Sequence, residues 1–494
     1  MTDKPERKTL KLTKKPVEQA RQPDAERRVR AGARARNVAQ REREREQERD
    51  RVRGSDAKAP DAIAPRSAPR SASRSTAEQR RPERPQAADR EPIAGPAQSP
   101  DVHRIKRRKP MPRYQAEILP IFASCPQGLE QALLAEMQAL GFDDAHAGRA
   151  GCHFQTDWTG VLRANLYSRL ATRILVQVAQ APVEHEDDIL ELAMATPWER
   201  WFGAEQTLRV DTSAIRSPMQ SLQYCNLRAK DGICDRLRDL EGERPSIDTV
   251  RPDARVHLFL DENSATLYLD TSGESLFKRG WRLDKGEAPI RENLAAGILA
   301  LADWDPSGAL MDPFCGSGTL LIEAAWIALG VPPGILRPFG FERLRNHDER
   351  HWRDLKADAR SRIATHLDNP LVGYDLDPQA IKSAELNRER AWLAPDAIRF
   401  EIGDARNVAP PSATGWLVTN PPYGDRLDNT DDELWPAFAQ NLKRNFSGWQ
   451  VHMISSDMDL PRKMRLKPLR RQPLYNGSLD CRLFGFEMVA AGYR

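Results

Sequence analysis

The first 113 residues of this 494-residue chain contain no aromatic side chain; all 33 rings (11 Trp, 8 Tyr, 14 Phe) fall at or after Tyr114. A segment with no rings and only isolated aliphatics cannot bury enough apolar surface to offset the entropy of ordering it. Residues 1–113 are therefore expected to form a disordered arm rather than a domain. Cysteine is also scarce: six in the whole chain, with no Cys-x-x-Cys pair. That argues against a disulfide scaffold and against a zinc site, and it fits a reducing cytoplasm. No run approaches 18 apolar residues, so a membrane-spanning helix is not expected. The start, Met1-Thr2-Asp3-Lys4-Pro5, lacks the apolar segment of a secretory signal. No Gly-Lys-Ser/Thr occurs, which removes the phosphate loop of the nucleotide triphosphatases.

Charge is divided unevenly. Residues 1–113 hold 32 Lys+Arg against 17 Asp+Glu, a net of +15; subtraction from the totals of 75 and 71 leaves 43 against 54, or −11, for residues 114–494. The formal +4 of the chain thus joins a basic arm to a mildly acidic body. The arm ends in a dense cationic cluster, Arg104-Ile105-Lys106-Arg107-Arg108-Lys109. Such a segment suits phosphate contacts with release of counterions, or a solvated extension that serves solubility.

From Glu117 onward, helix and strand patterns begin. Ile118–Phe122 reads as a strand, and Leu129, Leu133, Leu134, Met137 and Leu140 recur at helical spacing. Leu162–Val178 reads as helix then strand. Leu208–Asp211, Val256–Leu260 and Thr266–Leu269 read as strands, the last two joined by a turn at Glu262-Asn263, and Asn226–Leu240 as a helix. This alternation predicts one or two small α+β layers. Asp231, Asp235 and Glu241 read as a solvated helix face. His146 and His153 lack metal-like partners, and His347 and His351, four apart, lack a third ligand, so no metal is expected.

Residues 309–494 alternate strand and helix regularly. Strands are predicted at Ala309–Asp312, Leu371–Asp375, Ile398–Ile402, Trp416–Thr419, Gln450–Ser455 and Leu483–Val489, with helices at Leu320–Leu329 and Pro378–Trp392. That order is the order of an open, doubly wound α/β sheet, whose ligands sit beyond the carboxyl ends of the strands. The loop Asp312-Pro313-Phe314-Cys315-Gly316-Ser317-Gly318-Thr319, Asp375 and Asp404 all fall at that edge. Gly316 and Gly318 let backbone approach a ligand, and the helix that follows offers free amides. Asp375 is placed to accept from two ribose hydroxyls, and Asp404 from an adenine amino group. Three carboxylates at successive strand ends describe a nucleoside site.

Asn420-Pro421-Pro422-Tyr423 follows the fourth strand. Proline cannot donate to a sheet, so the chain must leave the strand there. The Asn420 side-chain oxygen and the Pro421 carbonyl are then two free acceptors for the two hydrogens of a planar amino group. Pro422 stiffens the turn, and Tyr423 offers a face for stacking a base.

On these motifs the chain resembles the class I adenosylmethionine-dependent amino methyltransferases. Asp312–Thr319 is similar to their cofactor loop and Asn420–Tyr423 to their amino-group motif. Three further stretches resemble the THUMP-containing methyltransferases of the bacterial large-subunit rRNA guanine-N2 group. They are Arg244–Asp248, Leu276–Arg282 and Ala288–Ala296; Ser168–Val178 and Lys230–Asp235 are similar to the THUMP half. The resemblance covers roughly residues 117–494 and leaves out the arm.

It implies a ferredoxin-like and THUMP RNA-binding region at 114–275 and a Rossmann-like methyltransferase domain at 276–494, preceded by the disordered basic arm at 1–113. It implies S-adenosyl-L-methionine as cofactor, held by Asp312, Phe314, Cys315, Gly316, Gly318, Thr319, Asp375 and Asp404. Asn420, Pro421, Pro422 and Tyr423 would form the catalytic motif. The partner implied is RNA, 23S rRNA or a pre-50S particle, with no membrane, no metal and a cytoplasmic location.

Two departures stand out. Asp375 lies 57 positions after Gly318 (375 − 318), against about 20 in a simple nucleotide-binding unit; the excess near Ala328–Leu367 is expected to be a substrate-facing insertion. Some relatives carry a second methyltransferase domain behind the first, so this sequence is expected to make a single modification. Other readings are the same reaction on tRNA, adenine-N6 methylation of DNA, and a noncatalytic RNA-binding ribosome-assembly factor. An intact Asn420–Tyr423 speaks against the last, because a pure binder has no use for an amine clamp.

Overall fold

The structure, a computed structural model, describes residues 117–284, 290–422 and 433–489. The basic arm lies outside them, as do Tyr423 and Asp425.

The amino-terminal half is built on one sheet. Its strands are β1 (Leu119–Ser124), β2 (His146–Gly148), β3 (Gly151–Thr156), β4 (Arg173–Pro182), β5 (Leu208–Ala214), β6 (Ala254–Leu260) and β7 (Ser264–Asp270), ordered β2-β3-β1-β4-β7-β6-β5. Four helices belong to it: α1 (Glu130–Ala139), α2 (Trp158–Tyr167), α3 (Glu186–Ala195) and α4 (Leu222–Glu241). One or two layers were expected; the strands form a single continuous sheet because β4 pairs with β1 on one side and with β7 on the other. β6 alternates buried and half-buried along its whole length, the mark of a sheet with one covered face. Ile121, Phe154, Val176, Val256 and Leu269 from the strands share a core with Leu133, Met137, Val161, Ile189 and Ile233 from the four helices.

The carboxyl-terminal half holds the second sheet. After α5 (Glu292–Leu301) come β8 (Ala309–Asp312), α6 (Thr319–Ala328), α7 (Glu349–Ser361), β9 (Leu371–Asp375), α8 (Pro378–Arg390), β10 (Arg399–Ile402), β11 (Gly415–Thr419), α9 (Leu434–Asn445), β12 (Trp449–Ser455), α10 (Leu460–Lys463), β13 (Arg470–Asn476) and β14 (Leu479–Glu487). Their order is β10-β9-β8-β11-β12-β14-β13. β8 to β12 are parallel, and β14 enters antiparallel between β12 and β13. This is the doubly wound architecture expected, with the last strand reversed. β13 escaped the sequence reading because Arg470, Arg471 and Pro473 do not resemble a core strand; it is an edge strand, where proline and charge are tolerated.

The halves are joined through buried ionic contacts. The Arg279 guanidinium donates to Glu323 on α6 (Nε to Oε1, 3.2 Å) and to the Arg169 carbonyl (2.6 Å), while Arg169 lies 3.6 Å from the same carboxylate. Burial pulls the Arg169 pKa down to about 10, against the attraction of Glu323. Part of the Ala328–Leu367 insertion braces the amino-terminal half. Arg345 pairs with Glu205 and Glu241, Phe341 N donates to the Thr271 carbonyl (2.9 Å), and Thr159 meets His351 (3.3 Å). Arg343 also reaches Asp253, and Arg362 donates to the Tyr167 hydroxyl (2.7 Å), while Trp352 packs on Phe339 and Phe341 within the insertion. His347 packs near the Phe341 ring and His351 turns to Thr159, so the pair does not converge. Among the described residues no cluster of His, Cys, Asp or Glu could hold a metal, and no helix is long and apolar enough to cross a membrane.

Candidate active site

Strand order fixes which side chains meet. β10, β9, β8 and β11 lie side by side and parallel, so Asp404, Asp375, the glycine loop and Asn420 emerge in sequence along one edge.

Asp312, the last residue of β8, is 2 % exposed. Its Oδ1 accepts from Thr419 Oγ1 (2.6 Å) and from Phe314 N (3.1 Å). Burial, reinforced by the charge of Asp375, pushes its pKa up to about 7, while the Thr419 and Phe314 bonds hold it back. The loop then closes on β9: Cys315 N donates to the Tyr374 carbonyl (2.8 Å) and Gly316 N to Asp375 Oδ2 (2.9 Å). Asp375 Oδ1 accepts from Asp377 N (3.0 Å), which leaves each oxygen further lone pairs for a diol.

The two glycines have different reasons. Gly316 sits at φ +52° with nothing within 4 Å of where a Cβ would be, so its surroundings are open to a ligand. Gly318, at φ +80°, caps α6, and a Cβ there would lie 2.8 Å from Phe400 and 3.1 Å from Ala384. Its missing side chain lets α6 pack closely against β10 and α8. Thr319 is buried at the first turn of α6, whose leading amides have no intrahelical partner. Cys315 is buried and its thiol is pushed well above the usual range by that burial, which leaves it an inert packing group. Phe314 packs edge-on against Phe438 (5.5 Å) and beside Trp435 (6.3 Å) of α9.

Asp404 stands just past β10, where Gly403 N donates to the Asp375 carbonyl (3.0 Å). Its carboxylate is engaged by Arg406 through Nε (2.8 Å) and Nη2 (2.6 Å), a pairing that holds its pKa below the usual range. An adenine amino group would have to share this carboxylate with Arg406.

Asn420 follows Thr419 directly. Its Oδ1 is buried and has no hydrogen-bond partner among the described residues. A buried unpaired acceptor is costly, so this oxygen has the capacity to take a donor from a ligand. Pro421 and Pro422 continue the rim, Pro421 buried; Tyr423 lies outside the described residues.

Asp312, Gly316, Asp375 and Asn420 are therefore brought together, Asp404 stands next to them with a partner of its own, and Phe314, Cys315, Gly318 and Thr319 build the loop from beneath. Two residues escaped the sequence reading. Thr419 ties Asp312 to the strand that carries Asn420. Asn387, on α8, donates to the Ser317 carbonyl (3.1 Å) and the Asp284 carbonyl (3.0 Å), which fixes the glycine loop from behind. A lone Thr or Asn in a strand or helix gives no signal of such a tie.

Comparison with known proteins agrees with this architecture. Residues 120–175 match the RlmL ferredoxin-like domain, residues 183–270 the THUMP domain, and residues 279–484 the RMKL-like methyltransferase domain. The chain is 40% identical over 382 residues to the ribosomal RNA large subunit methyltransferase K/L of Syntrophotalea carbinolica (74% of this chain, 53% of that protein). It is 38% identical over 381 residues to that of Pseudomonas aeruginosa (74% and 52%). The chain spans about half the length of these curated relatives. Among solved structures, SMU.472 complexed with SAH superposes with a TM-score of 0.70 at 26% identity, covering 76% of this chain and 99% of that one. TrmN from Thermus thermophilus has a TM-score of 0.57 at 21% identity, with 76% and 100% covered, and shares the fold. The chain therefore carries a ferredoxin-like domain, a THUMP domain and a methyltransferase domain, in that order.

Proposed function

We propose that the protein transfers a methyl group from S-adenosyl-L-methionine to the exocyclic N2 amine of a guanine in large-subunit rRNA. The observation that carries this reading is the buried, unpartnered Asn420 Oδ1, one residue past Thr419 and so one hydrogen bond removed from Asp312 of the glycine loop. The residues present fit the cofactor: open space at Gly316, a diol acceptor in Asp375, and an orphan acceptor facing the same rim. The likeness to SMU.472, solved with SAH, supports the same fit, and the large-subunit rRNA methyltransferases among the relatives support the substrate. An rRNA substrate would place the protein in the cytoplasm.

The cofactor supplies an electrophilic methyl group. The chain's own contribution is position. Gly316 and Asp375 would hold the nucleoside end, with Asp404 beside them. The guanine leaves its stack to reach the pocket. Asn420 Oδ1 and the Pro421 carbonyl accept the two amine hydrogens and aim the nitrogen lone pair, while Tyr423 stacks on the ring. The cofactor, when bound, would give its methyl group to N2 and leave as the neutral thioether, and the nitrogen would lose a proton to water. No strong base is required, because alignment provides much of the acceleration.

The test is nucleoside mass spectrometry of rRNA and tRNA from cells with and without the protein. Loss of N2-methylguanosine from 23S rRNA alone supports the reading. Loss from tRNA instead moves the substrate, and no loss from either removes the enzyme.

A further inference from the structure

Gly316 and Gly318 both sit at positive φ, and a glycine loses more conformational freedom on ordering than any other residue. A loop of two glycines around one serine has little preference of its own for a single shape. If its ligand had to order it, that ordering would be subtracted from the affinity. Side chains behind the loop supply the order instead.

Asn387, in the last turn of α8, is fully buried. Its Nδ2 donates to the Ser317 carbonyl (3.1 Å) and to the Asp284 carbonyl (3.0 Å), so both amide hydrogens have an acceptor. Its Oδ1 accepts from Arg390 Nη1 (3.1 Å), three residues on, and the same nitrogen reaches Asp284 Oδ2 (2.5 Å). These partners fix which way the amide points. Turned over, it would set its oxygen against two carbonyls and its NH2 against a guanidinium.

The loop is thereby held at three consecutive residues. Gly316 N donates to Asp375 Oδ2 (2.9 Å), the Ser317 carbonyl accepts from Asn387, and Gly318 lies against Ala384 of α8, 3.1 Å from where its Cβ would be. The other end of α8 is tied to the cofactor rim as well. Its N-cap Asp377 donates from its backbone N to Asp375 Oδ1 (3.0 Å). One helix therefore sets the spacing between the diol acceptor and the glycine loop.

We propose that Asn387 is a positioning residue for the cofactor: it fixes the Ser317 peptide and so preorganises the loop, while Arg390 and Asp284 hold Asn387 in place. The proposal rests on the reading that this rim binds S-adenosyl-L-methionine. It deepens that reading by assigning part of the cofactor affinity to side chains behind the loop rather than at its open side.

The experiment uses the full chain, with SAH binding read by isothermal titration calorimetry and methyl-transfer rates read on rRNA from cells lacking the protein. Asn387→Ala is expected to weaken SAH binding and raise the KM for S-adenosyl-L-methionine about tenfold, the worth of one hydrogen bond. Arg390→Ala, at a half-exposed position where folding is not at stake, is expected to do the same by about threefold. In both, kcat at saturating cofactor should stay within threefold and the KM for RNA should not change, the pattern of lost uniform binding. Asn387→Asp keeps the shape but sets a carboxylate against two carbonyls, and should bind SAH more weakly than Asn387→Ala. If Asn387→Ala does not fold, Arg390→Ala decides. Lowered melting temperatures with unchanged SAH affinity would make these residues part of the scaffold alone and overturn the proposal. Equal losses of SAH and RNA affinity, the mark of general loosening, would overturn it as well. A parent protein that binds no SAH overturns the cofactor reading and this proposal with it, whereas normal SAH affinity in the variants overturns this proposal alone.

Discussion

Thr419 Oγ1 donates to Asp312 Oδ1 at 2.6 Å, and both side chains are buried. The bond joins the last residue of β8 to the last residue of β11, so the start of the glycine loop and the residue before Asn420 move as one piece. Thr419→Val keeps the shape and removes the donor. It should destabilise the fold by about 1.5–3 kcal/mol at pH 8, the range for a bond to a charged group. At pH 5 the loss should be smaller, because Asp312 is then protonated. Urea unfolding at both pH values checks this; an equal loss at each would mean that the hydroxyl acts through packing.

The same carboxylate gives a pH dependence with a definite sign. Its pKa is about 7 in the native protein, above the ordinary 3.8. The native state therefore holds more protons than the unfolded chain between those values, and stability falls as pH rises through that window. This contribution is complete below pH 4 and lost above pH 7. Asp312→Asn cannot titrate. The difference in unfolding free energy, wild type minus variant, should decline by up to roughly 1.4 kcal/mol per pH unit between pH 5 and 7 and level off above. A difference that stays constant over that range would contradict the buried, protonated carboxyl.

Asn420→Ala removes the orphan acceptor. Methyl transfer to 23S rRNA should fall by about a hundredfold or more, a loss comparable to deleting one preorganised hydrogen-bonding group at a reacting centre. RNA affinity should stay within twofold of wild type. Single-turnover rates and anisotropy, measured on one preparation, separate the two. Parallel loss of both would favour an RNA binder over an enzyme.

Much of this site was legible because its signals are local. Asp312, Asp375 and Asn420 each end a hydrophobic strand, and strand order alone brings them to one edge. Asp404 was legible by position, but its partner was not, because nothing in Gly403-Asp404-Ala405-Arg406 tells a free carboxylate from one paired two residues on. The short strands β2 and β3 and the helix α3 were missed. β2 has three residues, and Glu186-Asp187-Asp188 opens α3 with charge where the sequence reading looked for apolar spacing. The contact of the insertion with the amino-terminal half was unreadable too, since Arg345 reaches Glu205 and Glu241 more than a hundred positions away. Ion pairs between distant segments leave no periodicity.

The buried contact of Arg279 with Glu323 yields a stability prediction of the opposite character to a surface pair. Glu323 is fully buried, and its loss would leave Arg279, also buried, and Arg169 without the carboxylate they share. Glu323→Ala should cost about 3–5 kcal/mol, the range for breaking a buried ion pair from one side. Because the pair ties α6 to the segment that follows β7, the loss should uncouple the two halves. Differential scanning calorimetry should then show two transitions where the parent shows one. A single transition shifted by less than about 2 °C would mean that the junction is held by packing alone.

Deleting residues 2–113 removes a segment with net charge near +15, counted from the sequence. If those cations neutralise phosphates, the plot of log affinity against log salt should become shallower, by roughly 0.7 for each phosphate of a single strand that the arm no longer neutralises. Affinity at low salt should drop by an order of magnitude or more, while the two proteins should converge at high salt, where counterion release no longer favours binding. The catalytic rate at saturating RNA should be unchanged, since none of the residues at the methyl-transfer rim lies in the deleted segment. The measurement is anisotropy at four or more salt concentrations with both proteins. Identical slopes would show that the arm touches no phosphates and extends the chain for solubility only.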